Sequence, residues 1–210
     1  MFSRAKEWGY TDENPFHGKV PRRKKRMPHY YLQEEIEKLA EYFLNPKLPR
    51  WQGDMVFFTL NTGLRREEVF MLDWKGHVDM VNEQIIFPGK GDKDRLVPLN
   101  QDAMEILRIR PRHIKKSRVF WEIDRVWAID SMWRRMKMRT KIKGKFHDLR
   151  KTYASYYAMA GGSMKKLQEI LGHEGYETVA IYAALSPESI QAGKNIVSFS
   201  NKTRVKGQAV

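Results

Sequence analysis

The strongest constraint on the fold is a change in hydrophobic periodicity along this chain of 210 residues. Apolar residues recur at helical spacing on both sides of one central stretch, which instead has the short alternating pattern of strands. The strand-like pieces are Val78 to Met80, Gln84 to Phe87 and Arg95 to Leu99, and a turn rich in Gly, Lys and Asp lies between the last two. The sequence therefore predicts a mainly α protein (α+β), a helical bundle with a small three-stranded antiparallel sheet.

Helices are predicted before and after this sheet from the spacing of apolar residues. Before it they are Leu32 to Phe43, a buried helix around Met55 to Leu60 that ends at Gly63, and Arg66 to Trp74. After it they are Gln101 to Arg110, Ser131 to Lys141, His147 to Met159, Met164 to Leu171, Thr178 to Leu185 and Pro187 to Val197. The hydrophobic fraction of 41% is enough for one sizeable core, so we expect one main domain with short appendages.

Charge and composition limit the class of function. The chain has 39 Lys and Arg against 25 Asp and Glu, a net charge of +14 that favours a polyanionic partner such as DNA, RNA or an anionic membrane surface. The absence of cysteine excludes disulfides, cysteine nucleophiles and thiolate metal sites. The sequence has no apolar run of the ~20 residues that cross a bilayer and no signal-peptide core, so we expect a cytoplasmic protein without a membrane partner.

Two basic clusters are candidate DNA contacts. One is the run from Arg22 to Arg26, which is either a solvated strap or a tether that lies on phosphates. The other contains nine Lys or Arg between Arg134 and Lys151 against the single acid Asp148, which is too dense for an ordinary helix surface. The positions that we expect to contact DNA are Arg22, Arg23, Lys24, Lys25, Arg134, Arg135, Lys137, Arg139, Lys141 and Lys143.

Four short motifs and one tyrosine are the candidates for chemistry. Thr62-Gly63-Leu64-Arg65 and Leu171-Gly172-His173 each follow a predicted helix end, Gly89-Lys90-Gly91 lies in the hairpin turn, and His147-Asp148-Leu149-Arg150 begins a helix. Tyr182 lies nine residues beyond His173 in a short helix. Taken singly, each of these is more often a structural feature than a site, so their value depends on their occurring together.

Together these motifs resemble a known family. TGLRREE at 62 to 68, PGKGDKDRLVPL at 88 to 99, FHDLRKTYAS at 146 to 155 and LGHEGYETVAIYAALSPE at 171 to 188 are similar, in order and spacing, to the catalytic boxes of tyrosine recombinases of the phage-integrase and Xer type. The resemblance covers about residues 28 to 190. It implies an active site of Arg65, Lys90, His147, Arg150 and His173, with Tyr182 as the nucleophile.

The resemblance also implies the reaction and its partners. Tyr182 would form a 3′-phosphotyrosine, Arg65 and Arg150 would stabilise the charged transition state, and His173 would add a hydrogen bond to the phosphate. His147 would accept the tyrosine proton and Lys90 would protonate the leaving 5′ oxygen. The expected partners are double-stranded DNA at a specific site and further copies of the chain in a tetrameric synapse, with neither metal nor cofactor, in a prokaryotic or viral setting.

The chain departs from the family pattern in three places. Glu67 replaces a small residue and Ala184 stands where a histidine is common, but neither position has a catalytic role. The segment 1–27 is short for the helical core-binding domain that usually comes first, so we expect a remnant of that domain's last helix plus a basic linker. Residues 28–200 would be the catalytic domain and residues 201–210 a disordered tail.

Other functions remain open at this point. A type IB topoisomerase uses a related set of residues but reseals each strand to itself. A non-catalytic DNA-binding module would use the arginines only for phosphates, and it would leave the spacing of Tyr182 unexplained. A basic RNA-binding protein has less support, because the sequence shows no ordered aromatic RNA-binding motif. Glu68 is interpreted as a structural partner of nearby basic side chains rather than as a catalytic acid.

Overall fold

The computed structural model describes residues 2–13, 27–89, 94–173 and 175–187. Its helices are α1 (Phe2–Glu7), α2 (Gln33–Phe43), α3 (Arg50–Thr62), α4 (Arg66–Met71), α5 (Gln101–Ile109), α6 (Trp127–Thr140), α7 (Asp148–Met159), α8 (Met164–Leu171) and α9 (Glu177–Ala183). The strands are β1 (Val78–Asp79), β2 (Gln84–Phe87) and β3 (Arg95–Pro98). The prediction of a mainly helical protein with one small sheet is confirmed.

The sheet is antiparallel, with the strands in the order β1-β2-β3. Its register pairs Ile85 with both Val78 and Val97, and it pairs Phe87 with Arg95 at the hairpin end. Ile85 and Val97 are fully buried, so this face of the sheet covers the core. Arg95, paired with Phe87, lies at the start of β3. Helix α8 packs on this strand.

Helix α3 is the centre of the core. Met55, Val56, Phe58 and Thr59 are fully buried, and α3 packs against α2, α5 and α7. It ends at Gly63, whose φ of +66° is a left-handed conformation that glycine adopts at little cost. The helix starts at Arg50, earlier than the apolar stretch from Met55 suggested.

Two helix boundaries differ from the sequence predictions for identifiable reasons. Helix α4 stops at Met71 instead of Trp74, because Asp73 pairs with Arg118 and the backbone N–H of Trp74 donates to Ser117. Helix α6 starts at Trp127 instead of Ser131, because the buried Ile129 adds one more turn to its apolar side. The predicted helix Pro187 to Val197 and the tail 201–210 lie outside the described residues.

A second, smaller cluster of apolar residues joins the last helices. It contains Ala154 and Ala158 of α7, Leu167 and Leu171 of α8, and Val179 and Tyr182 of α9. The partly buried Ile181 and Leu185 pack against it. Helix α9 therefore rests on α7 and α8 of its own chain. None of the helices in the described ranges has the length and apolar character needed to cross a membrane.

Candidate active site

Three of the predicted site residues meet where α3, α7 and α8 end or begin. Arg65 follows the left-handed turn at Gly63 and precedes α4, Arg150 lies in the first turn of α7, and His173 follows the cap of α8 at Gly172. The turns after α3 and α8 both need left-handed glycines, because φ is +66° at Gly63 and +61° at Gly172. Each of these motifs therefore lies at a helix end, and together they bring Arg65, Arg150 and His173 close to one another.

Arg150 is the most buried of these residues, with only 3% of its surface exposed. Its Nη1 donates to the carbonyl oxygen of Gly63 at 2.7 Å and its Nη2 donates to that of Leu171. Nη2 also lies 3.2 Å from Nε2 of His173. Burial, followed by the charge of Arg65, lowers its pKa to about 10, so Arg150 stays positively charged at neutral pH.

Arg65 binds the same loop as Arg150, through a neighbouring carbonyl group. Its Nη2 donates to the carbonyl oxygen of Gly172 at 3.1 Å, next to the Leu171 carbonyl that Arg150 uses. Its side chain is 36% exposed, so one face of the guanidinium is open to solvent. Two forks of fixed donors thus converge on one loop, an arrangement suited to the non-bridging oxygens of a phosphate.

Glu68 holds the arginines in place. Its Oε1 accepts from Nη1 of Arg65 at 2.8 Å and its Oε2 accepts from the backbone N–H of Arg65 at 2.7 Å. Nη1 of Arg150 lies 3.9 Å from Oε2. Burial alone would raise the pKa of Glu68, but hydrogen bonds from Arg95 and Arg65 lower it to about 2. Glu68 is therefore a structural partner of nearby basic side chains, as its sequence position predicted.

The two histidines differ in exposure but share an uncharged state. His147 lies just before α7 and is exposed, whereas His173 is partly buried. Burial and the charges of Arg150 and Arg65 lower the pKa of His173 to about 4. Burial and the charges of Lys151 and Arg150 also lower the pKa of His147. Both imidazoles are therefore neutral at neutral pH, and a neutral imidazole can accept a proton.

Tyr182 lies in α9 with 6% of its surface exposed. Burial raises its pKa, while the positive charge of Arg150 acts in the opposite direction. The phenol is therefore protonated at neutral pH, and the charge of Arg150 reaches its oxygen. Deprotonation of Tyr182 consequently requires a base and nearby positive charge, and His147 and Arg150 supply residue types suited to these two tasks.

The remaining predicted positions divide into two groups. Arg134, Arg135, Arg139, Lys141 and Lys143 are exposed, and Lys137 is partly exposed, on α6 and the turn that follows it. Lys90 and the linker residues Arg22, Arg23, Lys24 and Lys25 lie outside the described residues. In the described part of the chain, no three His, Asp or Glu side chains are grouped so that they could hold a metal ion.

Sequence reasoning did not single out two residues beside the site. Arg95 donates to Glu68 at 2.7 Å, although its position at a strand end gave no reason to separate it from its basic neighbours. Asp148 is buried beside His147, where it accepts from the N–H of Lys145 at 2.8 Å and from Nζ of Lys151 at 2.6 Å. The signal available in the sequence was that Asp148 is the single acid in a basic stretch.

Comparison with known proteins identifies the family of this chain. The family model described as "Phage integrase family" matches residues 30–189. The integrase of Salmonella phage P22 is 30% identical over 203 residues, which are 88% of this chain and 51% of that protein. Tyrosine recombinase XerC of Serratia marcescens is 27% identical over 193 residues, 84% of this chain and 62% of the relative. The chain thus spans about half to two thirds of the length of these relatives.

A solved structure gives the same result for the fold. The catalytic domain of bacteriophage HP1 integrase superimposes with a TM-score of 0.62 at 27% identity, covering 83% of this chain and 98% of that domain. The family model covers most of the chain, and the matched region contains the converging arginines and Tyr182. This chain belongs to the phage integrase family, and its fold is that of a tyrosine recombinase catalytic domain.

Proposed function

We propose that the protein cuts and rejoins DNA at a specific site through a covalent 3′-phosphotyrosine on Tyr182. The observation that carries the proposal is the convergence of Arg65, Arg150 and His173 on one loop, within electrostatic reach of a buried tyrosine. Support also comes from the relatives, which are named as recombinases and integrases. Bacterial and phage relatives also favour a prokaryotic cytoplasm as the place of action.

In the cleavage step, the oxygen of Tyr182 attacks the scissile phosphorus and its proton moves to His147. The bond between phosphorus and the 5′ oxygen breaks, and Lys90 gives that oxygen a proton. The forks of Arg65 and Arg150 meet the negative charge that gathers on the non-bridging oxygens, and His173 adds a hydrogen bond. Religation is the reverse, with a 5′ hydroxyl as attacker. The roles of Lys90 and His147 rest on the family resemblance, and no step needs a metal.

The experiment is a covalent selection. Nicked duplexes with a randomised centre trap the intermediate, because the short strand beyond the cut diffuses away before it can be rejoined. Duplexes that stay attached to the protein after denaturation are sequenced, and mass spectrometry of the digested adduct identifies the modified residue. We expect enrichment of one sequence class and DNA attached to Tyr182. Attachment elsewhere would contradict the proposal, as would a wild-type protein that yields no adduct.

Two measurements distinguish the proposed recombinase from a type IB topoisomerase and from a non-catalytic DNA-binding module. Rapid relaxation of a supercoiled plasmid that lacks the selected sequence would favour topoisomerase activity. A Tyr182→Phe protein that retained every measurable activity would favour a non-catalytic DNA-binding module.

We further propose that four copies assemble on paired DNA sites through the segment that follows α9. In the sequence of that segment, the apolar residues Ile190, Ile196, Val197 and Phe199 precede a polar end, a combination that suits docking onto a neighbouring protomer. Truncation after Leu185 is expected to leave a folded monomer that binds DNA but neither forms multimers on it nor recombines. A truncated protein that assembled and recombined normally would rule this out.

A further inference from the structure

Arg95, the first residue of β3, connects four elements around the site. Its Nη1 donates to Oε1 of Glu68 in α4 at 2.7 Å and lies 3.4 Å from the carbonyl oxygen of Leu171 at the end of α8. Its Cζ lies 4.7 Å from the ring centre of Phe87 in β2. The side chain is 13% exposed, so these contacts occur largely away from solvent.

The carboxylate that Arg95 binds is the one that also holds the catalytic arginines. The same Oε1 of Glu68 accepts from Arg65 at 2.8 Å, and Oε2 lies 3.9 Å from Nη1 of Arg150. Three guanidinium groups therefore surround one carboxylate. Since each donor restricts where the shared oxygen atoms can lie, removal of Arg95 would let Glu68 move and would loosen Arg65 with it.

Gly172 leaves the space that the stem of Arg95 occupies. A Cβ atom at Gly172 would lie 2.5 Å from Cδ of Arg95, which is too close for two carbon atoms. The absence of a side chain at Gly172 thus serves both its left-handed backbone and the approach of Arg95. Through this contact β3 is packed directly against the loop that carries His173.

The charge of Arg95 is only partly compensated. Within the described residues its buried Nε and Nη2 have no hydrogen-bond partner. Among the described residues, Glu68 is the one acid that Arg65, Arg95 and Arg150 share, so this part of the arginine cluster has a surplus of two positive charges. A buried, incompletely paired cation costs stability, which a packing role alone would not explain. The transition state of phosphoryl transfer is rich in negative charge, and such a surplus would stabilise it.

We propose that Arg95 is a positioning residue: it fixes the Glu68 carboxylate that holds Arg65 and Arg150, and it adds positive charge to the site without touching the phosphate. This inference rests on the proposed recombinase function. Lysine would be a poor substitute, because it lacks the planar fork that donates to Glu68 while stacking on Phe87.

The test compares Arg95→Met with Arg118→Met in the full chain. Arg118 is a matched control, because its guanidinium also stacks on a phenylalanine, 4.5 Å from the ring centre of Phe70, and in the described part of the chain it is paired with none of the site residues. On the duplex obtained by covalent selection, we expect Arg95→Met to slow single-turnover cleavage about 10-fold or more while the Kd changes less than about twofold. Arg95→Lys is expected to recover only part of the rate, and Arg118→Met to cleave normally.

A double variant tests the route through Glu68. If Arg95 acts through this carboxylate, Glu68→Gln combined with Arg95→Met will lose less rate than the product of the two single losses, because only the charge contribution of Arg95 is independent of Glu68. Losses that multiply would overturn the inference, as would an equal loss of rate in Arg118→Met.

A second readout needs no DNA. The charged and titratable groups that act on His173 are Arg150, Arg65, His147 and Arg95, and the three arginines lower its pKa. NMR titration of the His173 imidazole should therefore show a raised pKa in Arg95→Met and an unchanged one in Arg118→Met. An unchanged pKa in Arg95→Met would overturn the inference. If the wild-type protein yields no adduct in the selection, the proposed function fails, and this titration still decides whether the charge of Arg95 acts in the site.

Discussion

Nη2 of Arg150 lies 3.2 Å from Nε2 of His173 and also donates to the carbonyl oxygen of Leu171. With Nη1 bound to Gly63, the guanidinium joins the turn after α3 to the end of α8. Arg150 therefore connects two helix ends and is also a proposed phosphate ligand. Arg65 is more exposed and binds one carbonyl group, so it carries less of the fold.

This difference predicts distinct phenotypes for the two arginines. Arg65→Ala and Arg150→Ala should each slow cleavage by about 10²-fold or more, because each removes a preorganised donor to the transition state. Arg150→Ala should also lower the free energy of unfolding by about 2 kcal/mol, since it leaves buried carbonyl groups unpaired. Denaturant unfolding of both proteins measures this, and equal stability of the two variants would contradict it. Addition of a chelator should leave cleavage unchanged.

Stability should fall as the pH decreases from 6.5 to 4. Folding lowers the pKa of His173 to about 4, so the unfolded chain binds a proton more readily and protonation favours unfolding in this window. Between pH 7.5 and 5 we expect the wild-type protein to lose about 1 kcal/mol more than His173→Gln, after allowance for partial exposure. Urea unfolding at the two pH values tests this. A variant with the same pH dependence as the wild-type protein would refute it.

Tyr182→Phe should abolish covalent DNA adducts and leave the Kd for DNA nearly unchanged, because only the attacking oxygen is lost. Tyr176→Phe is the matched control, since Tyr176 caps the same helix and is 54% exposed. It should form adducts at the normal rate. Denaturing gels of the trapped complexes give the answer, and adducts that persist in Tyr182→Phe would show that another residue attacks.

Gly63→Ala should destabilise the fold much more than Gly161→Ala. Both glycines have a positive φ, +66° and +79°, so the backbone strain of the two changes is similar. A Cβ at Gly63 would lie 2.6 Å from Cδ1 of Tyr153, whereas at Gly161 no atom lies within 4 Å. We expect about 1 kcal/mol for Gly161→Ala and about 2 to 4 kcal/mol for Gly63→Ala. Similar melting temperatures for the two variants would be incompatible with this packing.

Neutralising Arg134, Arg135 and Arg139 should weaken binding to all DNA sequences alike. Exposed cations on α6 are expected to contact phosphates, so their loss should flatten the dependence of the Kd on salt concentration. Fluorescence anisotropy over a series of salt concentrations provides both slope and affinity. A triple variant that kept the slope and changed the sequence preference would argue for base contacts instead.

Much of this organisation could be predicted from the sequence, because periodicity and glycine positions are local signals. The limits of β2 and α8 were predicted to the residue, and Gly63 was recognised as the end of α3. Helix α4 was predicted too long, since its end depends on pairing with Ser117, which is distant in sequence. For the same reason Arg95 could not be identified, because its meeting with Glu68 is set by how β3 packs on α8.

The small size of α9 limits how firmly the proposed nucleophile is held. Of its seven residues, Val179 and Tyr182 are the two that are buried, and they pack on helices α7 and α8. Their burial is worth on the order of 3 to 6 kcal/mol before the entropy of ordering the helix is subtracted. Since ordering seven residues costs an entropy of similar size, the net free energy that holds the nucleophile in place is small. A neighbouring molecule that favours one position by 1 to 3 kcal/mol changes the docked population by about 5- to 150-fold. In the proposed assembly of four copies, contact with a neighbour would therefore decide which copies hold Tyr182 in place for attack, with no change in their catalytic groups.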